Sequence, residues 1–256
     1  MLITMTILDS DRVVPQYRIR RMPCRPSRES VKPLSGAATA PISDALYRRG
    51  CLPGEIHALY SPAPHIVGPA YTVQASPADQ LLALYAIAHA QPGDVIVLAG
   101  TCTDSGVAWG GIMSAMAKKR GIAALVTDGF VRDLKQCEAS GFPIYARGVR
   151  PLAPCKDVPP GDVNFPVAVG NVVIFPGDVI VADEDGVVVI PLDLVEDVVR
   201  ALDVRDVKEA SWLDRIASED TVLFSDSVDQ ALAARATWIE SERDTFAEKS
   251  QGDETR

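Results

Sequence analysis

The chain has 256 residues, of which 47% are hydrophobic and 23% charged, enough to bury one sizeable core with at most a smaller appendage. A formal net charge of −9 argues against a broad nucleic-acid footprint, while leaving room for a small basic site or a protein partner. Asp or Pro interrupts every apolar stretch well before bilayer-spanning length, and no basic flank leads into an apolar signal region, so no membrane role and a cytoplasmic location are expected.

Residues 1–35 carry Arg18, Arg20, Arg21, Arg25 and Arg28 among Pro15, Pro23, Pro26 and Pro33, which suits an extended arm, either a leader or an embrace for a neighbouring subunit. From Pro41 the pattern becomes globular. A capped helix is predicted over 41–50, a strand around VGPAYTVQA at 67–75, and a helix with an apolar stripe over 79–90. Short apolar runs at Asp94–Gly100, Ile122–Asp128 and Pro143–Ala146 read as strands. Between them, Ile112–Arg120 and Val131–Ser140 show helical spacing and stop at Gly121 and Gly141. Beyond Pro151 the pattern is β, with FPVAV, NVVIF, DVIVA and VVVIP, the last two flanking a hairpin turn at Asp183-Glu184-Asp185-Gly186. That acidic turn lacks the twelve-residue ligand loop of a calcium site. An amphipathic helix follows over 192–217 and carries Glu209; after Ser225 a second amphipathic stretch runs into a charged end. The expected division is an arm (1–35), a principal domain (36–225) and a C-terminal helix with a charged tail (226–256).

Strand, helix, strand, helix, strand implies βαβ crossovers. If the strands are parallel neighbours, residues 101–111 and 129–133 open together at the carboxyl ends, where open α/β sheets bind ligands. Gly110 and Gly111 permit close approach to the backbone, and the amides of Ile112 and Met113 have no intrahelical acceptor, so an anion suits them. Arg132 adds a charged fork matched to a carboxylate, and Asp133 offers the hard oxygens that magnesium or manganese prefers. Together they suit a metal-bound oxoacid; alternatively Arg132 and Asp133 are solvated first-turn residues beside a tight turn.

Other chemistries are poorly supported. The five cysteines form no CxxC pair, and Cys102 in the presumed site loop reads as a small buried filler or a reactive thiol. His57, His65 and His89 show no metal spacing, and His89 falls at a helix end. GTCTDSG at 100–106 has neither GxGxxG spacing nor a GK[ST] ending, and no GxSxG elbow occurs. Lys118 and Lys119 sit beside Arg120 on a helix, unlike a Schiff-base lysine in an apolar strand.

Several ordered blocks carry a family resemblance: ISDALYRRG (42–50), VGPAYTV (67–73), QPGDVIVLAG (91–100), WGGIMSAMAKKRGIAALVTDGFVRD (109–133), GFPIYARGVRP (141–151) and NVVIFPGDVIVADEDGVVVIP (171–191). Over most of residues 38–217 the chain resembles the class II pyruvate aldolases that cleave 4-hydroxy-4-methyl-2-oxoglutarate, grouped with RraA-like proteins. The resemblance implies an α/β fold, a layered β/β/α sandwich of the RraA-like, swivelling-domain type with a parallel βαβ core. It also implies homotrimers or homohexamers with sites between subunits. By position, Asp133 resembles the direct ligand of Mg2+ or Mn2+, and Arg132 the residue that holds the oxoacid and its enolate. Gly110, Gly111, Ile112 and Met113 would form the carboxylate cradle, and Glu209 of a neighbouring subunit would face metal-bound water. The aldolase pattern has an acidic residue twenty-one positions before the arginine, where this chain has Gly111, with Asp104 a candidate to reach in from its loop. The implied function is pyruvate release from a small 2-oxoacid, by retro-aldol cleavage or oxaloacetate decarboxylation. The rivals are an RraA-like regulator that binds an endoribonuclease, and a related lyase or hydrolase of aromatic catabolism.

Overall fold

A computed structural model of the chain describes residues 17–21, 24–61, 63–76, 79–100, 106–154, 159–218, 222–233 and 235–237. In chain order the strands are β1 (Arg18–Ile19), β2 (His57–Ala58), β3 (Ile66–Gln74), β4 (Val95–Ala99), β5 (Ala124–Thr127), β6 (Phe130–Val131), β7 (Ile144–Ala146), β8 (Gly148–Val149), β9 (Asp162–Val163), β10 (Val167–Val169), β11 (Val172–Ile174), β12 (Val179–Asp183) and β13 (Gly186–Ile190). The helices are α1 (Arg28–Val31), α2 (Thr39–Ala45), α3 (Gln80–His89), α4 (Gly111–Lys119), α5 (Leu134–Ser140), α6 (Val195–Ser218) and α7 (Ser225–Ala233). Two compact units divide the chain, 1–205 and 206–256.

The main sheet runs β1-β9-β3-β4-β5-β7-β2, with β3, β4, β5 and β7 mutually parallel, as the βαβ reading requires. The long β3 serves two layers. Its first half pairs antiparallel with β12, and its second half pairs with β4. β12 and β13 form the expected hairpin, closing at Asp183↔Gly186.

Alternation along β4 shows how the layers share the core. Ile96 and Leu98 face α3, α4 and α5 with Leu82, Ala86, Ala117 and Phe142. Val95, Val97 and Ala99 face Ile180, Ala182, Val187 and Val189 on the second β layer. Covered on both sides, β4 is buried throughout and reads as a continuous apolar run rather than an alternating one. Each such Val, Ile or Leu contributes about 1.5–3 kcal/mol. The outer face of β12 and β13 is closed by Leu34, Ile42, Val195 and Val198. The β/β/α order is therefore present, with α2 and the start of α6 added outside.

Two expectations are modified. The arm folds back from Tyr17 onward: β1 joins β9, Arg18 Nε donates to Asp162 Oδ1 at 2.7 Å, and Arg25 Nη1 donates to Asp94 Oδ2 at 2.9 Å. Asp94 is fully buried, so a charge partner is what draws the arm down. The helix expected from Val131 begins only at Leu134, because Phe130 and Val131 pair with β8 and Val131 bridges Trp109.

Candidate active site

The sheet delivers the loops after β4 and β5 to one edge. Asp128 Oδ2 accepts from Gly100 N at 3.1 Å, tying the two strand ends together. Arg132 is held by its own backbone, its N–H donating to Trp109 O at 3.1 Å, while Arg150 N donates to Val131 O at 2.8 Å on the other side. A buried chain continues the link: Trp109 Nε1 donates to Ser114 Oγ at 3.0 Å, Ser114 Oγ lies 3.3 Å from Cys137 Sγ, and the Cys137 thiol donates to Arg132 O at 3.4 Å. Burial pushes the Cys137 thiol up, while its contact with Ser114 opposes that shift, so it remains a donor. The first turns of α4 and α5 are thereby locked face to face.

Asp133 stands at the N-cap of α5 but in the left-handed region, with φ 58° and ψ 42°, and its side chain makes no capping bond. An N-cap ordinarily takes extended angles and turns its carboxylate onto its own helix. The left-handed turn, which costs on the order of 1–3 kcal/mol for a non-glycine residue, instead aims the carboxylate at α4. Asp133 Oδ2 lies 3.4 Å from Gly111 N and 3.4 Å from Arg132 Nε. Gly110 is needed for closeness, not for backbone freedom, since its φ is −163°. A Cβ there would lie 2.7 Å from Asp133 Oδ2 and 3.1 Å from Arg132 Cγ.

The first intrahelical bond to Gly110 O comes from Ser114 N at 3.0 Å, so the amides of Ile112 and Met113 precede the ladder, as expected. Gly110, Ile112, Met113, Arg132 and Asp133 line a cavity of about 290 Å3 with Gln80, Leu84 and Met116. The structure thus gathers Gly110, Ile112, Met113, Arg132 and Asp133 at one cavity, with Gly111 meeting Asp133 through its amide. Glu209 belongs to α6 in the second unit, and Cys102 and Asp104 lie outside the described residues. A hollow of about 390 Å3 against α2, β13 and the start of α6 is larger but mainly apolar, and shares no lining residue with the first.

Sequence reasoning missed Gln80, Ser114, Gln136 and Cys137. Gln80 follows the α3 N-cap Asp79, a position that periodicity treats as surface. Ser114 and Cys137 sit on the apolar faces of their helices, where a small polar group gives no signal until its partner is known. Asp133 and Gln136 have capping-box spacing, which would direct both side chains onto α5; the left-handed Asp133 undoes that reading.

The RraA-like family, described as Aldolase/RraA, matches residues 39–189, a span that contains the whole cavity. The chain belongs to the RraA-like family. A relative from Halalkalibacterium halodurans, provisionally named 4-hydroxy-4-methyl-2-oxoglutarate aldolase, is 43% identical over 164 residues, covering 63% of this chain and 76% of that protein. Among solved structures, RraAS2 of Streptomyces coelicolor, described as an unusual member of the RNase ES inhibitor RraA protein family, superposes with a TM-score of 0.65 at 32% identity. It covers 73% of this chain and 98% of that one. The RNA-processing inhibitor RraA from Thermus thermophilis gives 0.55 at 27% identity, over 60% and 93%. These RraA-like structures share the parallel-rich α/β sandwich described above. Among the described residues no helix is long and apolar enough to cross a membrane.

Proposed function

We propose that this RraA-like protein is a divalent-cation-dependent carbon–carbon lyase that releases pyruvate from a small 2-oxoacid. The observation that carries the reading is the Asp133 carboxylate, turned by its left-handed backbone away from α5 and onto the amide end of α4, with Arg132 beside it. Among the described residues no three His, Cys, Asp or Glu gather into a closed metal cage. The Asp133 carboxylate supplies the hard oxygens that Mg2+ or Mn2+ takes, with water and substrate oxygens to complete the shell.

Each residue then has a separable task. Arg132 grips the 2-oxoacid carboxylate and offsets the enolate charge, while the Ile112 and Met113 amides take the remaining carboxylate oxygen. Asp133 holds the cation, which when bound supplies Lewis acidity toward the keto oxygen, worth several kcal/mol. Leu84, Ile112 and Met116 give the cavity apolar walls that are exposed in the single chain. In oxaloacetate the C3–C4 pair becomes the enolate of pyruvate as CO2 leaves, and C3 then takes a proton from water. Retro-aldol cleavage of 4-hydroxy-4-methyl-2-oxoglutarate also requires removal of the hydroxyl proton, and Gly111 stands where the aldolase pattern has an acidic residue. Decarboxylation is accordingly the favoured reaction. A homotrimer or homohexamer, with Glu209 offered from a neighbouring subunit, completes the proposal.

The test is pyruvate release from both substrates, coupled to NADH oxidation, with Mg2+, Mn2+ or chelator. Asp133→Ala is expected to lower it at least about 100-fold. Metal-independent release, or release unaffected by that substitution, overturns the reading. The inhibitory role named for the solved RraA relatives is the second reading; a regulator that acts by protein contact would keep partner binding after Arg132→Ala and Asp133→Ala.

A further inference from the structure

Gly111 and Gln136 compete for one volume. A Cβ at position 111 would lie 2.5 Å from Gln136 Cβ and 3.2 Å from Gln136 Cδ, with Gln136 Oε1 also inside contact distance. The glutamine stem and its carboxamide thus fill the space that any side chain at 111 would need. Both residues are tied to Asp133: Gly111 N lies 3.4 Å from Asp133 Oδ2, and Gln136 N donates to Asp133 O at 2.9 Å. Gln136 is an exposed residue that lies against Gly111, outside the residues that line the cavity.

We infer that Gln136 is a positioning residue of the candidate site, presenting a neutral carboxamide at the mouth of α4 in place of any group that residue 111 could supply. This rests on the cation seat proposed at Asp133. A carboxamide oxygen accepts a hydrogen bond from water or a substrate hydroxyl, and its NH2 donates to a carboxylate, but it does not take up a proton at neutral pH. Gln136 therefore orients without acting as a base and adds no negative charge beside Asp133. The consequence is substrate selection. Breaking C3–C4 of oxaloacetate sends the electron pair into the enolate with loss of CO2 and needs no proton acceptor. In the aldol case the hydroxyl proton must pass to water as the new carbonyl forms, which a neutral neighbour assists poorly.

The test uses the full-length chain with Mn2+ as probe, followed by electron paramagnetic resonance, beside pyruvate release from oxaloacetate and from 4-hydroxy-4-methyl-2-oxoglutarate. Gln136→Glu keeps the shape and adds a carboxylate. It is expected to tighten Mn2+ about tenfold, because cation affinity follows ligand charge, and to raise the aldol-to-decarboxylation ratio by a similar factor. Gln136→Ala is expected to leave Mn2+ affinity within about twofold, since the direct donor remains. Circular dichroism confirms that each variant folds. Mn2+ affinity and substrate ratio both indifferent to Gln136→Glu overturn the role of Gln136 while leaving the lyase reading intact if the unaltered chain releases pyruvate. Tighter Mn2+ binding in Gln136→Glu, with no pyruvate from the unaltered chain, keeps Gln136 and removes the lyase. Absence of Mn2+ binding in both proteins overturns both.

Discussion

Replacing Gly110 with alanine separates the geometry of the site from the stability of the fold. The added Cβ would stand 2.7 Å from Asp133 Oδ2, inside any real carbon–oxygen contact, and 3.1 Å from Arg132 Cγ. The backbone itself is not strained by the change, since φ at Gly110 is −163°. Overpacking costs about 1–3 kcal/mol when the surroundings cannot yield. Here the Asp133 side chain is 39% exposed and can swing toward solvent, so the stability loss should lie near the lower end, about 1 kcal/mol. For a chain of this size that is a fall in Tm of roughly 2–4 °C. The activity loss should be far larger, because a displacement of about 1 Å in a positioned group costs roughly 100-fold. Gly141→Ala is the counterpart: its φ is 64°, nothing lies within 4 Å of the new Cβ, and it caps α5 away from the cavity lining. It should lower Tm by a similar amount through backbone strain and leave turnover unchanged. Thermal melts and coupled pyruvate assays on both variants decide the matter. Full activity in Gly110→Ala, or equal activity losses in the two, would refute the claim that the Gly110–Asp133 approach builds the site.

Arg25→Ala should destabilise the protein by about 2–3 kcal/mol in urea unfolding, below the roughly 3–5 kcal/mol of a fully buried pair because the Arg25 side chain is 25% exposed while that of Asp94 is fully buried. Adding Asp94→Asn should recover part of the loss, and an unchanged midpoint in the single variant would show that the arm is not anchored there. Burial raises the pKa of Asp79 from its ordinary 3.8, against the opposing pull of the Leu81 and Leu82 amides. A raised folded-state value means that stability falls as pH climbs from 3.8 toward that value, so Asp79→Asn, which keeps the α3 cap, should be more stable than the parent at pH 7. The advantage should vanish below the ordinary value, and a pH-independent difference would contradict the linkage. Native-state maleimide labelling with peptide mapping should modify exposed Cys24 and Cys51 while sparing Cys137, which is buried and held as a thiol; rapid native labelling of Cys137 would break the proposed Trp109–Ser114–Cys137–Arg132 link.

Periodicity, glycine stops and apolar runs determined the parallel βαβ core and the loops that carry the site, because burial on one or both faces of a strand and one stripe of a helix writes itself into residue spacing. The ordered blocks between Ile42 and Pro191 together also pointed to the family. Tertiary structure alone decided the rest. Whether Asp133 caps its own helix or faces α4 depends on a single left-handed residue, held by the pairing of Phe130 and Val131 with β8 and the Trp109 bridge. That pairing also moved the start of α5 from Val131 to Leu134. Arg25 reads as part of a charged arm until the buried Asp94 gives it a partner sixty-nine positions away. Gln136 is one more position of a helical run until its side chain is found over Gly111. Local spacing records which face of an element is buried, but contact between side chains far apart in the chain is decided only when the elements pack.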